Sequence, residues 1–333
     1  MATYRTVKGY NVKSVSSDPS NVKEGQIWYN RSAKTLKVVP KIAAWASANN
    51  MTRGVHTGGG AGTQTAALSC GGAAGPPAPN SRTETEEYDG TNWTTQNDLN
   101  TGHFQGAGFG SQTAAVCAAG TGPDGTGGAG QNDEVEEYDG TSWTNVTDMP
   151  VARSGPMGTG PQTAGLVCGG RLDPGTPQVD TVEYDGTSWT AGGDMNTGGT
   201  NSPILGTQTA TLVAGRGPSV ANLVEEYNGS SWTEVNSLGT ARYNGGASGI
   251  QTDGLVFGGW NNSTLYANSE AYDGTNFTAT SSLGTARYGL RGGAIQGNGS
   301  AAIGFGGGPT GTVETKSTEE WNIAATTRTV DVS

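Results

Sequence analysis

The chain has little of what metal-dependent and cross-linked proteins rely on: 3 cysteines and 2 histidines among 333 residues. An odd cysteine count argues against a disulfide framework, and two histidines leave scant material for a metal centre. Lys and Arg number 18 against 29 Asp and Glu, giving a formal net charge of -11 with no basic cluster anywhere. Phosphate backbones and anionic membrane surfaces are therefore poor partners. No apolar run is long enough to span a bilayer, and the opening Met1-Ala2-Thr3-Tyr4-Arg5 has no apolar core of signal-peptide length. The expectation is a product made in the cytoplasm, without membrane insertion or a nucleic-acid partner. Stretches of helix formers at a 3.6-residue spacing are also missing, which excludes helical solenoids.

What is abundant is glycine, 57 residues, and it sits at fixed places in a repeat. Tyr88, Tyr138, Tyr184, Tyr227 and Tyr272 mark five copies, with Trp321 taking the position in a sixth. Five residues after the first five come Trp93, Trp143, Trp189, Trp232 and Phe277, and six further on Leu99, Met149, Met195, Leu238 and Leu283. The steps between Tyr positions, 43 to 50 residues, fall in the range of four-stranded β-propeller units. Aromatics make up only 7% of the chain, so these repeated rings supply much of its large apolar area.

The third copy shows the grammar. Met149 to Arg153 leads into a Gly-rich first strand, and Pro161-Gln162-Thr163 makes the first turn. Ala164 to Cys168 is an apolar second strand ended by Gly169-Gly170. Asp180 to Tyr184 is the third strand, Asp185-Gly186-Thr187-Ser188 the turn, and Trp189 opens the fourth. An Asp-Gly turn between aromatic-bearing strands signals a hairpin, and a four-residue loop sets Tyr184 opposite Trp189. Cys70, Cys117 and Cys168 fall at matching places in the second strands, where Val213, Phe257 and Phe305 stand in or near the slot. Buried free thiols are the reading they support.

Residues 1–34 stand outside the repeat and read as an N-terminal strand and hairpin, an attachment segment preceding a repeat domain over 35–333. The strands read at this end are Glu24 to Asn30 and Thr35 to Val39, the second of which this boundary puts in the repeat domain. Trp45 and Met51 stand six apart as Trp93 and Leu99 do, so Trp45 marks a fourth strand without its first three, while the last copy has no Trp five residues after Trp321. Exchange of a closing strand between the terminal segments satisfies both ends. The tail, Thr327 to Ser333, alternates like a strand; it could fill that place instead, or pair with Leu36 to Val39.

Gly-Gly after an apolar strand, Glu-x-Tyr-Asp, Trp five residues after Tyr, and Met-Pro-x-x-Arg together resemble the kelch repeat over residues 45 to about 322. The resemblance implies an all-β fold: a six-bladed kelch-like β-propeller with four antiparallel strands per blade. The N-terminal Ser-Asp-Pro-Ser-Asn, Glu-Gly-Gln-Ile-Trp-Tyr-Asn and Thr-Leu-Lys-Val, with the Gly-Thr-Gln-Thr-Ala and Glu-Glu-Tyr-Asp-Gly-Thr units and the Val-Asp-Val-Ser end, resemble kelch-type structural proteins of tailed bacteriophages. That implies a virion component such as a tail fibre or other host-contacting protein. Its partners would be other virion proteins and a host-surface glycan or receptor, with a homo-oligomer as an option.

A copper enzyme on the same scaffold would need two histidines and tyrosines, one crosslinked to Cys. Only His56 and His103 are present, and His103 stands at the place of Arg153, Arg242 and Arg287, which marks a structural slot. The paired acids Glu86-Glu87, Glu136-Glu137, Glu225-Glu226 and Glu319-Glu320 recur too often for one catalytic couple and suit the satisfaction of Arg residues or backbone amides. No catalytic residue, metal or cofactor is expected. The alternative is a galactose-oxidase-like or other carbohydrate-active enzyme. Recognition is expected on the variable connections after Gly-Gly, with Arg171, Asp173, Arg216, Trp260 and Tyr266 as ligand-binding candidates, or else these loops merely tolerate variation. Trp28 and Tyr29 are candidates for attachment to a neighbouring subunit, and packing explains them as well.

Overall fold

A computed structural model describes residues 5–7, 10–20, 26–39, 41–74, 80–122, 130–172, 175–293, 299–309, 314–325 and 328–330. Its regular elements are all β-strands. The chain divides into two compact units, one formed by Met1–Ala44 with Asn322–Ser333 and the other by Trp45–Trp321.

The first unit holds a five-stranded sheet in the order Arg5–Val7, Tyr10–Val15, Ile27–Asn30, Thr35–Val38, Arg328–Val330. Tyr10–Val15 runs parallel to Ile27–Asn30, and the other pairings are antiparallel. Thr35–Val38 and Arg328–Val330, expected in the repeat domain, thus belong to this sheet, and the division falls at Ala44 instead of after residue 34. The cause is pairing: Leu36, Lys37 and Val38 bond to Ile27–Asn30 on one side and to the C-terminal tail on the other. Of the places open to the tail, this is the one it takes.

Among the described residues there follow six four-stranded sheets, the first five antiparallel throughout. The third shows the pattern: Met157–Thr159, Gly165–Cys168, Thr181–Tyr184 and Trp189–Ala191 pair in sequence order. Its second strand is buried along its length because it lies between neighbouring sheets, with Leu166, Val167 and Cys168 at 0% exposure. Tyr184 faces Trp189, ring centroids 4.6 Å apart, across a turn in which Asp185 Oδ1 accepts from the Thr187 and Ser188 N–H groups. In the sixth sheet, Tyr288–Gly293, Ala301–Gly308 and Thr318–Ala325 take Lys41–Ala48 as their fourth strand, as the position of Trp45 predicts.

Side-chain contacts of three kinds recur between a sheet and the one before it, and the first and fourth sheets make all three. Gln162 Nε2 in the first turn donates to the Ala115 and Tyr138 carbonyls, both at 3.1 Å. Tyr184 OH donates to Glu137 at 2.9 Å, and Trp143 Nε1 donates to Thr85 Oγ1 at 2.9 Å. The first sheet makes the same contacts with the sixth: Gln64 Nε2 to the Ala302 and Trp321 carbonyls, Tyr88 OH to Glu320, and Trp93 Nε1 to Thr318 Oγ1.

A circuit of backbone hydrogen bonds passes through all six sheets, just ahead of the first strand in five of them and at its second residue in the sixth. Gln105 N–H donates to Thr57 C=O, Gly155 to Gln105, Asn201 to Gly155, Asn244 to Asn201, and Gly289 to Asn244, at 2.7 to 2.9 Å. Thr57 N–H then donates to Gly289 C=O at 2.8 Å and returns the circuit to its start. All six members have left-handed backbones, φ between 52° and 66°. At Gly155 a Cβ would lie 2.0 Å from Thr200 Oγ1, so glycine is required there.

Candidate ligand-binding face

The residue after each Gly-Gly position pairs by an isolated bridge with the residue preceding a circuit member: Ala73 with His56, Thr121 with Phe104, Arg171 with Ser154, Gly217 with Thr200, Trp260 with Tyr243. Arg171 and Trp260 therefore hold equivalent positions in the third and fifth sheets. Both side chains are partly exposed.

Trp260 lies between two tyrosines, its ring centroid 5.8 Å from that of Tyr243 and 5.4 Å from that of Tyr288. The loop beyond it is fixed by Asn261, whose Oδ1 accepts from the Thr264 N–H at 2.7 Å and the Ser263 N–H at 3.1 Å. Tyr243 OH donates to Asn262 Oδ1 at 2.6 Å. Burial holds the Tyr243 and Tyr288 hydroxyls above their ordinary pKa, so both remain neutral donors. The result is a cluster of three aromatic rings: Trp260 on a loop with its turn chemistry satisfied, the partly exposed Tyr288 opening the first strand of the sixth sheet, and the buried Tyr243 ahead of the first strand of the fifth. The sequence singled out Trp260; Tyr243 and Tyr288 were missed because they follow the slot residues Arg242 and Arg287, at a position held by Ser154 and Thr200 in other copies.

The other candidates divide. Arg171 donates through Nε to Ser154 Oγ at 2.9 Å, which fixes the base of its side chain. Tyr266 lies beneath the Arg242 guanidinium, 5.5 Å from ring centroid to Cζ, and its OH accepts from Asn261 Nδ2, so it supports the loop. Asp173 lies outside the described residues. Arg216 does not face a ligand: it is 1% exposed and pairs with Glu225 at 2.7 Å. Trp28, proposed for attachment, is 2% exposed, its Nε1 donating to Asp18, while Tyr29 is half-buried. The histidines serve different carboxylates, His56 beside Glu314 at 3.9 Å and His103 beside Glu136 at 3.5 Å. Among the described residues, no three His, Cys, Asp or Glu side chains gather as a metal-ligand set.

The paired acids have structural partners. The first glutamate of each pair receives backbone N–H groups from the segment ahead of the first strand, as Glu86 does from Thr52 and Arg53 and Glu136 from Asn100 and Thr101. The second takes the Tyr hydroxyl of the next sheet, as Glu137 does from Tyr184. A buried cation completes the arrangement. Arg242 donates to the Gly258 carbonyl and Glu270, and Arg287 to the Gly306 carbonyl and Glu319. Arg153 reaches Gly169 and Asp180, while His103 meets the Ala119 carbonyl and Glu136. In the fourth sheet the slot residue is Gly199, and Arg216 supplies the missing guanidinium from the end of the second strand; a Cβ on Gly199 would lie 2.5 Å from Arg216 Cδ.

The inner strands of the sheets line a cavity of about 60 Å³, bordered by Gly60, Gly108, Gly158, Ile204, Ala247 and Arg291. That is room for about two waters and not for a sugar ring.

These sheets define an all-β protein of the β-propeller kind. Among solved structures, that of YjhT is similar to it, with a TM-score of 0.66 at 13% identity over 81% of this chain and 96% of that one. At that identity the likeness carries the fold alone. No protein-family model matches the chain, and no curated protein matches it.

Proposed function

We propose that the second unit is a closed six-bladed kelch-type propeller acting as a non-enzymatic structural protein of a tailed-phage virion. In this reading it is a tail-fibre or other host-contacting component that recognises a host-surface glycan. Closure is supported by the hydrogen-bond circuit through Thr57 and Gly289 and by the hold of Gln64 on the sixth sheet. The virion assignment rests on the resemblance of the N-terminal segment and the Val-Asp-Val-Ser end to phage structural proteins.

The observation that carries glycan recognition is the partly exposed Trp260–Tyr288 pair, backed by the buried Tyr243, beside a pinned loop. Aromatic faces of this kind stack on the apolar side of a sugar ring, and neighbouring Asn and Arg groups supply hydrogen bonds. The test is a glycan array and host-cell binding assay with the native chain and Trp260→Ala. The expected result is a saturable glycan signal lost at least about tenfold in the variant, with an unchanged circular-dichroism spectrum. Equal binding by the variant overturns the assignment of the face, and turnover of the bound glycan replaces the adhesion reading with a carbohydrate-active enzyme. Mass spectrometry of purified virions tests the location directly.

A further inference from the structure

The buried-cation slot is occupied from within the chain in five sheets, by His103, Arg153, Arg216, Arg242 and Arg287. In the first sheet the corresponding residue is Val55, four residues after Met51 as Arg242 is four after Leu238. The acceptors are nevertheless in place. Cys70 pairs with Thr85 as Phe257 pairs with Ser269, so Gly71, Glu84 and Glu86 correspond to Gly258, Asn268 and Glu270. In the fifth sheet those three groups receive the Arg242 guanidinium at 2.8, 2.9 and 2.6 Å.

Glu86 is 3% exposed and accepts from the Thr52 and Arg53 backbone N–H groups, as Glu270 does from Gly239 and Thr240. Among the described residues, no side chain donates to it. Where the guanidinium would lie there is instead a cavity of about 420 Å³, lined in part by Val55, Ser69, Gly71, Glu84 and Glu86. That volume is in the range of about 300–1,000 Å³ for small-molecule sites. Arg53, Arg82 and Lys316 also line it, and both arginines engage Glu84 Oε1, at 2.5 and 2.9 Å, with side chains 54% and 39% exposed. The inner wall thus presents a carboxylate and carbonyls to a cation, and the rest of the lining carries three cations, Arg53, Arg82 and Lys316, with the two carboxylates of Glu84 and Glu314.

We propose that this cavity binds a small zwitterion of the arginine type, its guanidinium in the vacant slot on Glu86 and its carboxylate toward Arg53, Arg82 and Lys316. The recognition is charge-assisted, with one guanidinium nitrogen on the carboxylate and the other on the carbonyls, as Arg242 binds Glu270, Gly258 and Asn268. A neutral isostere cannot supply it.

Isothermal titration and thermal unfolding with L-arginine, L-citrulline and agmatine test the proposal. The expected result is saturable one-to-one binding of L-arginine with a rise in Tm. L-Citrulline binds at least tenfold more weakly, and agmatine, lacking the carboxylate, also binds more weakly than L-arginine. Val55→Arg supplies the guanidinium from the chain, raises Tm without ligand and removes the L-arginine response. Glu86→Gln is the second variant, with fold checked by circular dichroism and L-arginine binding reduced at least tenfold. Equal responses to L-arginine and L-citrulline, no saturable binding, or undiminished binding by a folded Val55→Arg or Glu86→Gln overturns the proposal; agmatine binding as tightly as L-arginine overturns the carboxylate site. None of these readouts depends on the Trp260 face.

Discussion

A guanidinium that is 0% exposed persists only with strong partners, and the two terminal nitrogens of Arg287 donate to two carbonyls and Glu319, while its Nε has no partner among the described residues. Burial lowers its pKa and the Glu319 charge opposes that effect. Truncation would leave Glu319 buried without its cation. Arg287→Met is therefore expected to lower unfolding free energy by about 3–5 kcal/mol, measured by urea denaturation. A loss below about 1 kcal/mol would show that water replaces the cation. The same reasoning explains what the sequence hid. The need for a cation beside Glu225 was legible, but its source was not, because Gly199 leaves the slot empty and Arg216 fills it from another strand. On sequence alone Arg216 reads as a charge beside a variable loop, where ligand contact and mere tolerance of variation both fit. Trp28 reads equally as attachment or packing, and its indole N–H bond to Asp18 together with its burial fits packing.

At the scale of the element, the Tyr-turn-Trp hairpin was readable because both rings and the Asp-Gly turn lie within a few residues of one another. The fourth strand of the sixth sheet was readable because Trp45 keeps its spacing to Met51 far from the sheet it joins. The hairpins differ in one respect that spacing does not reveal. Trp93 is 5% exposed, packs on Tyr88 at 5.1 Å and Phe305 at 4.9 Å, and donates to Thr318 of the sixth sheet. Trp189 is half-buried and donates to the Thr147 carbonyl. Trp93→Ala is accordingly expected to cost about 3–5 kcal/mol, and Trp189→Ala less than half as much, compared by urea midpoints at equal slope. Equal losses would mean that local pairing, and not contact between sheets, dominates these rings.

For the molecule as a whole, acid is the condition to which the design is most exposed. Asp89, Asp139 and Asp185 are held below the ordinary carboxylate range by backbone N–H groups of their own turns. At Glu136 burial alone would raise the pKa, but the bonds from His103, Asn100 and Thr101 outweigh it. In the unfolded chain these carboxylates take up protons near about pH 4, before the folded ones do. The stability they contribute is full above that value and is lost as pH falls through the lower folded values. Burial also lowers the His56 pKa, so the unfolded imidazole binds its proton first below about pH 6.5, adding a loss of the same sign. Calorimetric scans are expected to show Tm falling slightly from pH 7 to 5 and steeply from 4.5 to 3. A flat profile would mean that these groups titrate alike in both states.

The repeat period announced six similar sheets, but the circuit joining them was not legible. Gly155, Gly289, Asn201 and Asn244 suit a left-handed backbone, whereas Thr57 and Gln105 adopt it only because their neighbours hold both ends. An open stack of sheets has two terminal members, each held on one side, from which it can peel apart unit by unit. A loop of bonds in which every member both gives and receives has no such starting point. Cutting one link leaves an arc still continuous from end to end, and a sheet comes free only when a second link yields as well.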